Sequence, residues 1–167
     1  MVLIKKITSI TLTLVLFISA QEQSDRIKKD GRSLTRVIQT YRFDALPDDG
    51  SYTIEINNLS GQVTIIGHEG SGAKITITNI AFEIPELDVQ NAHKLSKTIV
   101  THLEDEENIK IIGTPTLPKD IKIQKIIEIH LPKHVILNCQ ILGGDINVNG
   151  LKGESILETL GGDILIK

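Results

Sequence analysis

The sequence predicts a mainly β protein, a stack of short strands interrupted by one short helix, and three observations carry that prediction. Ile, Leu and Val dominate a hydrophobic share of 40%, while aromatic residues reach only 3%, a balance that suits pleated strands and aliphatic cores. Short runs with period-two alternation recur between glycine-rich turns. The pentapeptide Leu142-Gly143-Gly144-Asp145-Ile146 returns unchanged as Leu160-Gly161-Gly162-Asp163-Ile164, 18 residues on. At 167 residues the chain suits one domain, because a single hydrophobic core commonly serves about 100 to 200 residues.

The first twenty residues differ from the rest. Lys5 and Lys6 form a positive n-region, Ile7 to Ile18 an apolar h-region, and Ser19-Ala20 supplies the small residue that signal peptidase needs. Residues 1–20 therefore read as a signal peptide cleaved after Ala20, and the apolar run is short for a retained membrane anchor, which needs about 20 residues. Cleavage takes the net charge from −3 to −5. Either value has the wrong sign for a nucleic-acid partner, whose phosphates demand a basic patch. Gln21 to Leu34 is polar, charged and glycine-punctuated, which predicts a flexible spacer ahead of a domain spanning 35–167.

Within that domain Val37, Gln39, Tyr41 and Phe43 keep one strand phase, and Pro47-Asp48-Asp49-Gly50 turns the chain. Tyr52 to Ile56 alternates as a half-buried strand, Val63 to Ile66 follows the Leu59-Ser60-Gly61 turn, and Lys74 to Thr78 follows Gly67 to Gly72. After Pro85 the spacing of Leu87, Ala92, Leu95 and Ile99 nears the helical period, with Asp88 and Asn91 as caps, so one short helix is expected over Glu86–Ser96. Strands resume over Thr98 to Leu103 and Ile109 to Ile112, on either side of the acidic turn Glu104 to Asn108. Pro115 and Pro118 bracket a loop, and Ile121 to Leu131 forms a long aliphatic strand before the Pro132 corner.

Between the two identical pentapeptides the pattern halves. Ile146 and Val148 form one short strand, Gly150-Leu151-Lys152-Gly153 turns, and Ile156 begins another. A unit of two strands and two turns cannot bury its own inward side chains, so it must stack on a neighbour at about 4.8 Å. The sequence stops at Ile164-Leu165-Ile166-Lys167 with no polar capping segment. The expected reading is a domain with further coils beyond Lys167, or one whose last coil stacks against another subunit.

Tyr41-Arg42-Phe43, the run Tyr52 to Ile65, the Ile129-His130-Leu131-Pro132 corner and the closing Gly-Gly-Asp-Ile strands resemble a bacterial β-strand-repeat domain family of unknown function known as putative adhesin. The likeness spans about Val37 to Lys167. It implies an extracytoplasmic, right-handed β-helix-like solenoid with no catalytic residues to carry over. The abrupt end departs from the family, whose members continue through more coils.

Candidate chemistry is thin along this chain. Asp145-Ile146-Asn147-Val148-Asn149-Gly150 opens like a calcium-binding EF loop, but Ile156 stands where the bidentate Glu belongs and the flanks read as strands. Ile146 and Ile164 also replace the third glycine of the calcium β-roll repeat. His130 and His134 flank Pro132, a corner that would not place both imidazoles on one face, and His68, His93 and His102 lie in separate segments. Cys139 is the sole cysteine and shares the phase of Val135, Leu137 and Ile141, which predicts a buried apolar residue and excludes an internal disulfide. Ser60 and Ser155 lack a nucleophile elbow. Glu104-Asp105-Glu106-Glu107 reads as a solvated tip, and the few aromatics, Tyr41, Phe43, Tyr52 and Phe82, leave little to stack on sugar rings.

These readings predict no catalytic, cofactor-binding or metal-binding residue. The expected function is that of a non-enzymatic exported protein of the periplasm, cell envelope or surface, adhesin-like, with an unknown surface or envelope ligand. The alternative is a polysaccharide-active enzyme or accessory module on a β-helix scaffold, for which Asp145 and Asp163, stacked one repeat apart, are the only candidate acids. Their position after glycines also suits turn chemistry, with carboxylates accepting backbone N–H bonds.

Overall fold

The computed structural model describes residues 19–29, 32–82, 94, 96–114 and 123–167. The expected signal peptide falls almost wholly outside them, as does the helix expected over Glu86–Ser96, of which only Lys94 and Ser96 are described. Among the described residues the fold is mainly β, and the strands form two sheets.

Five strands make the first sheet. They are β3 (Thr53–Ser60), β6 (Ile99–Leu103), β7 (Asn108–Ile112), β9 (Ile136–Gly143) and β11 (Ser155–Thr159), in the order β11-β9-β3-β7-β6. Seven make the second: β1 (Ser19–Lys29), β2 (Arg32–Phe43), β4 (Gln62–His68), β5 (Ala73–Phe82), β8 (Ile123–Pro132), β10 (Ile146–Asn149) and β12 (Ile164–Ile166), in the order β1-β2-β5-β8-β4-β10-β12. A 3-10 turn over Glu104–Glu106 joins β6 to β7.

Four consecutive pairs, β7 with β8, β3 with β4, β9 with β10 and β11 with β12, each give one strand to each sheet. They stack in parallel on both sides. The matching pentapeptides lie in adjacent coils, with Ile146 opposite Ile164 and, on the other side, opposite Val63. Inward side chains form columns across the stack. Val63, Ile146 and Ile164 make one, and Ile56, Cys139 and Leu157 another. Between the sheets Ile54, Ile56, Val63, Ile65, Ile109, Ile111, Ile127, Ile129, Leu137, Cys139 and Ile146 lose all solvent contact, and complete burial of such an aliphatic side chain stabilises the fold by about 1.5 to 3 kcal/mol.

One corner of three of the four coils needs glycine. Gly61, Gly144 and Gly162 stand in register with φ of 145°, 105° and 131°, a region that side chains rarely adopt. A Cβ on Gly162 would strike the Gly144 carbonyl, one on Gly144 the Gly61 carbonyl, and one on Gly61 the Lys125 carbonyl. The column shows that Leu59-Ser60-Gly61-Gln62-Val63 is a third, diverged copy of the pentapeptide.

Two expectations need correction. The stack does not advance coil by coil along the whole domain, because β8 inserts beside β4 and the sheet then turns antiparallel through β5, β2 and β1. After the Glu69–Gly72 turn β5 stays in the sheet of β4 and runs in the reverse direction. Within the spacer expected over 21–34, residues 21–29 and 32–34 are instead strand: β1 pairs with β2 from Ser19 opposite Arg42 to Lys29 opposite Arg32. Backbone hydrogen bonding suffices there, and the outer strand leaves Ala20 to Ser24 exposed.

Candidate functional site

A cavity of about 270 Å³ opens where the end of β2 meets the start of β3 and the edge strand β6, lined by Phe43, Leu46, Pro47, Tyr52, His102 and Glu104 among others. That volume lies just below the usual range for small-molecule pockets of about 300 to 1,000 Å³. The loop after Phe43 is held down by Leu46, whose N–H donates to Ser71 O at 2.5 Å. Tyr52 is fixed by its backbone, which accepts from Ile136 N–H at 2.8 Å, and its successor Thr53 donates to Glu107 O at 2.9 Å. Phe43 and Tyr52 are buried.

His102 projects from β6 into this recess. Its ring meets Phe43 edge-on, with centroids 5.1 Å apart and planes at 78°, and its Nε2 is hydrogen bonded to the Tyr52 hydroxyl. Burial lowers the His102 pKa despite the opposing field of Glu104, so the imidazole is neutral at pH 7 and its Nε2 can accept the phenol proton. Burial, reinforced by the negative charges of Glu104 and Glu107, pushes the Tyr52 hydroxyl up to about 12. The pair is thus a neutral donor and acceptor at an apolar floor under an acidic rim. Such a recess suits recognition of a small group by shape and hydrogen bonding.

Tyr52 and His102 lie 50 positions apart, and no local spacing announces the pair. The faint signal in the sequence is that two of its few aromatics bracket one turn, Phe43 closing a strand-like run and Tyr52 opening the next. His102, read as an isolated histidine, belongs with them.

The other candidates are dispersed. Asp145 and Asp163 are adjacent across the stack, and Asp145 Oδ1 accepts from the backbone N–H of Asp163 at 3.0 Å. Thr159 supports the same corner, its hydroxyl donating to Gly144 O at 3.0 Å. The histidines flanking Pro132 have separate partners. His130 Nε2 lies 2.6 Å from Glu128 Oε1, whereas His134 Nδ1 and its backbone N–H both meet Asp48 Oδ1, at 3.1 and 2.9 Å. The backbone bond from His134 is the first cause holding the Asp48 carboxyl below its ordinary value.

Asp145 immediately precedes strand β10 (Ile146–Asn149), in which Ile146 and Val148 are buried. Glu104 to Glu107 is exposed, with Glu107 in the left-handed region at φ 48°. Cys139 is fully buried, and desolvation raises its thiol to about 12, which keeps it neutral. His68 contacts the Glu69 carbonyl, and His93 lies outside the described residues. Among the described residues no three His, Cys, Asp or Glu side chains gather closely enough to hold a metal ion.

No family model matches the chain, and no curated protein sequence matches it. Among solved structures it is similar to the crystal structure of a putative cell adhesion protein from Clostridium sporogenes, with 11% identity and a TM-score of 0.44. The alignment covers 87% of this chain and 59% of that one, so this chain spans less than two thirds of that protein's length.

Proposed function

We propose that this chain is a non-enzymatic, exported envelope or surface module whose β-solenoid-like coils present flat faces for binding and assembly. The observation that carries the proposal is repetition at hydrogen-bond precision. Gly61 N–H donates to Gly143 O at 2.8 Å and, one coil on, Gly144 N–H donates to Gly161 O at 2.6 Å. Val63 N–H to Asp145 O and Ile146 N–H to Asp163 O repeat at 2.9 Å. Structure built this way extends a surface by translation.

The outward face of the five-stranded sheet carries polar rows across successive coils. Asn57, Gln140 and Glu158 stand in one row, and Lys110, Glu55 and Asn138 in the next. Glu55 is tied to its neighbours by Asn108 Nδ2 at 2.6 Å and Lys110 Nζ at 4.0 Å. Amides and charges in fixed rows suit a polymeric polar ligand such as an envelope glycan, and the Tyr52–His102 recess adds a place for one small substituent. Export fits the same reading, because cleavage after Ala20 would leave Gln21 to Lys29 to pair with β2.

The test is retention of the labelled chain on isolated bacterial envelopes, scored together with release of soluble sugar. Saturable binding that falls when Gln140 and Glu158 are replaced by Ala, with no sugar released, is expected. Turnover of an envelope glycan that disappears in His102→Ala with the fold intact would overturn the non-enzymatic reading.

A further inference from the structure

The Tyr52–His102 recess has rings inside and carboxylates at its mouth, and the two features come from different parts of the chain. Phe43 closes β2, Tyr52 directly precedes β3, and His102 lies on β6. The three rings converge, with the His102 centroid 5.1 Å from that of Phe43 and 5.8 Å from that of Tyr52. Ala45, Leu46 and Pro47 add to the apolar lining.

The turn from β6 to β7 supplies the mouth. Glu107 N–H donates to Glu104 O at 3.0 Å, and this tight turn, with Glu107 in the left-handed region, brings both residues to the recess. Asp44 lines it from the end of β2. Glu106 pairs with Lys110 Nζ at 3.8 Å, whereas Glu104 and Glu107 have no cationic side chain within ion-pair distance among the described residues. Arg42 also lines the recess, but it is exposed and strand alternation sets it on the face of β2 opposite the buried Phe43. Carboxylates therefore dominate the local field. Burial first, and then the charges of Glu104 and Glu107, raise the Tyr52 hydroxyl, so that field reaches the floor.

A negative field inside an aromatic, mainly apolar space of about 270 Å³ favours one kind of guest, a positive charge spread over carbon. Ring faces attract such a cation, its alkyl groups fill the apolar lining, and the carboxylates add attraction from the rim. A calcium ion would instead demand six to eight oxygen ligands. We propose that this recess binds an organic ammonium group, its alkylated nitrogen seated against Phe43 and Tyr52 and its charge facing Glu104 and Glu107. The proposal deepens the surface-binding function above and rests on it only for the source of the group, a cationic substituent of an envelope polymer.

Choline chloride titrated into the purified chain at constant ionic strength, with the His102 ring resonances followed by NMR, tests it. Saturable shifts are expected. Dimethylbutanol, in which a neutral carbon replaces the charged nitrogen of choline, should bind at least about tenfold more weakly. Glu104→Gln with Glu107→Gln, both at exposed positions, should weaken choline binding about tenfold with the fold intact. Phe43→Leu keeps an apolar side chain but removes one ring, and should weaken it about threefold. No saturation with choline, equal binding of the neutral alcohol, or unchanged affinity in the double Gln variant would overturn the proposal. Failure of choline alongside saturable envelope retention would sink the recess and spare the surface-binding reading. Choline binding without envelope retention would support the recess and refute that reading.

Discussion

Gly144 sits where the backbone of one coil touches the next, at φ 105°. Gly144→Ala forces a methyl group into the Gly61 carbonyl and should cost about 2 to 4 kcal/mol, as strained backbone and overpacking combine. Gly161, which precedes the register partner Gly162 in the next coil, has nothing within 4 Å of an added Cβ, so Gly161→Ala should stay within about 0.5 kcal/mol of wild type. Urea unfolding of both variants checks the contrast, and equal losses would refute the glycine column. Lys125 offers a second residue-level prediction. It is buried, its Nζ donates to Ser96 O and Thr98 Oγ1, both at 2.8 Å, and desolvation lowers its pKa from 10.5 to about 8. Between those two values the unfolded chain holds a proton that the folded chain has released, so stability should rise with pH across that window, by up to about 3 kcal/mol. Below the window the Lys125 contribution is flat and unfavourable. Lys125→Met should abolish the rise in pH-dependent unfolding measurements, and a rise that survives would assign it to another group.

At the scale of the element, the stack predicts position-dependent costs for chemically identical side chains. Ile146→Ala removes a fully buried residue and should cost about 2 to 5 kcal/mol, whereas Ile164→Ala, in the same repeat position at 42% exposure, should cost less than about 1 kcal/mol. Denaturant midpoints of the two variants decide it. The strands themselves were largely legible: period-two alternation located Tyr52 to Ile56, Val63 to Ile66, Lys74 to Thr78 and Ile146 to Val148, and the identical pentapeptides pointed to stacking. Less legible was β1, because an exposed strand satisfied by backbone pairing carries no apolar alternation. The Tyr52–His102 pair escaped for a different reason, since contacts made by stacking join residues far apart in sequence. Diverged copies hide similarly: Ser60-Gly61-Gln62 keeps only the glycine that its corner requires, and only the register with Gly144 reveals it.

For the whole molecule, parallel coils in one half meet antiparallel strands in the other, and the change falls at β8, which is parallel to β4 on one side and antiparallel to β5 on the other. A chain that wound forward through every coil would place β4 and β10 several coils apart. Here they are adjacent, with Thr64 opposite Asn147 on the outward face. A disulfide between Thr64→Cys and Asn147→Cys tests that arrangement most directly, because strand neighbours fall within the Cα separation of about 4.4 to 6.8 Å that the bond needs. Fully buried Cys139 should not compete. Rapid intramolecular oxidation of this pair, with none for Thr64→Cys and Val148→Cys on opposite faces, is the predicted result. Failure of the first pair to oxidise, or equal oxidation of both, would contradict the stacked arrangement.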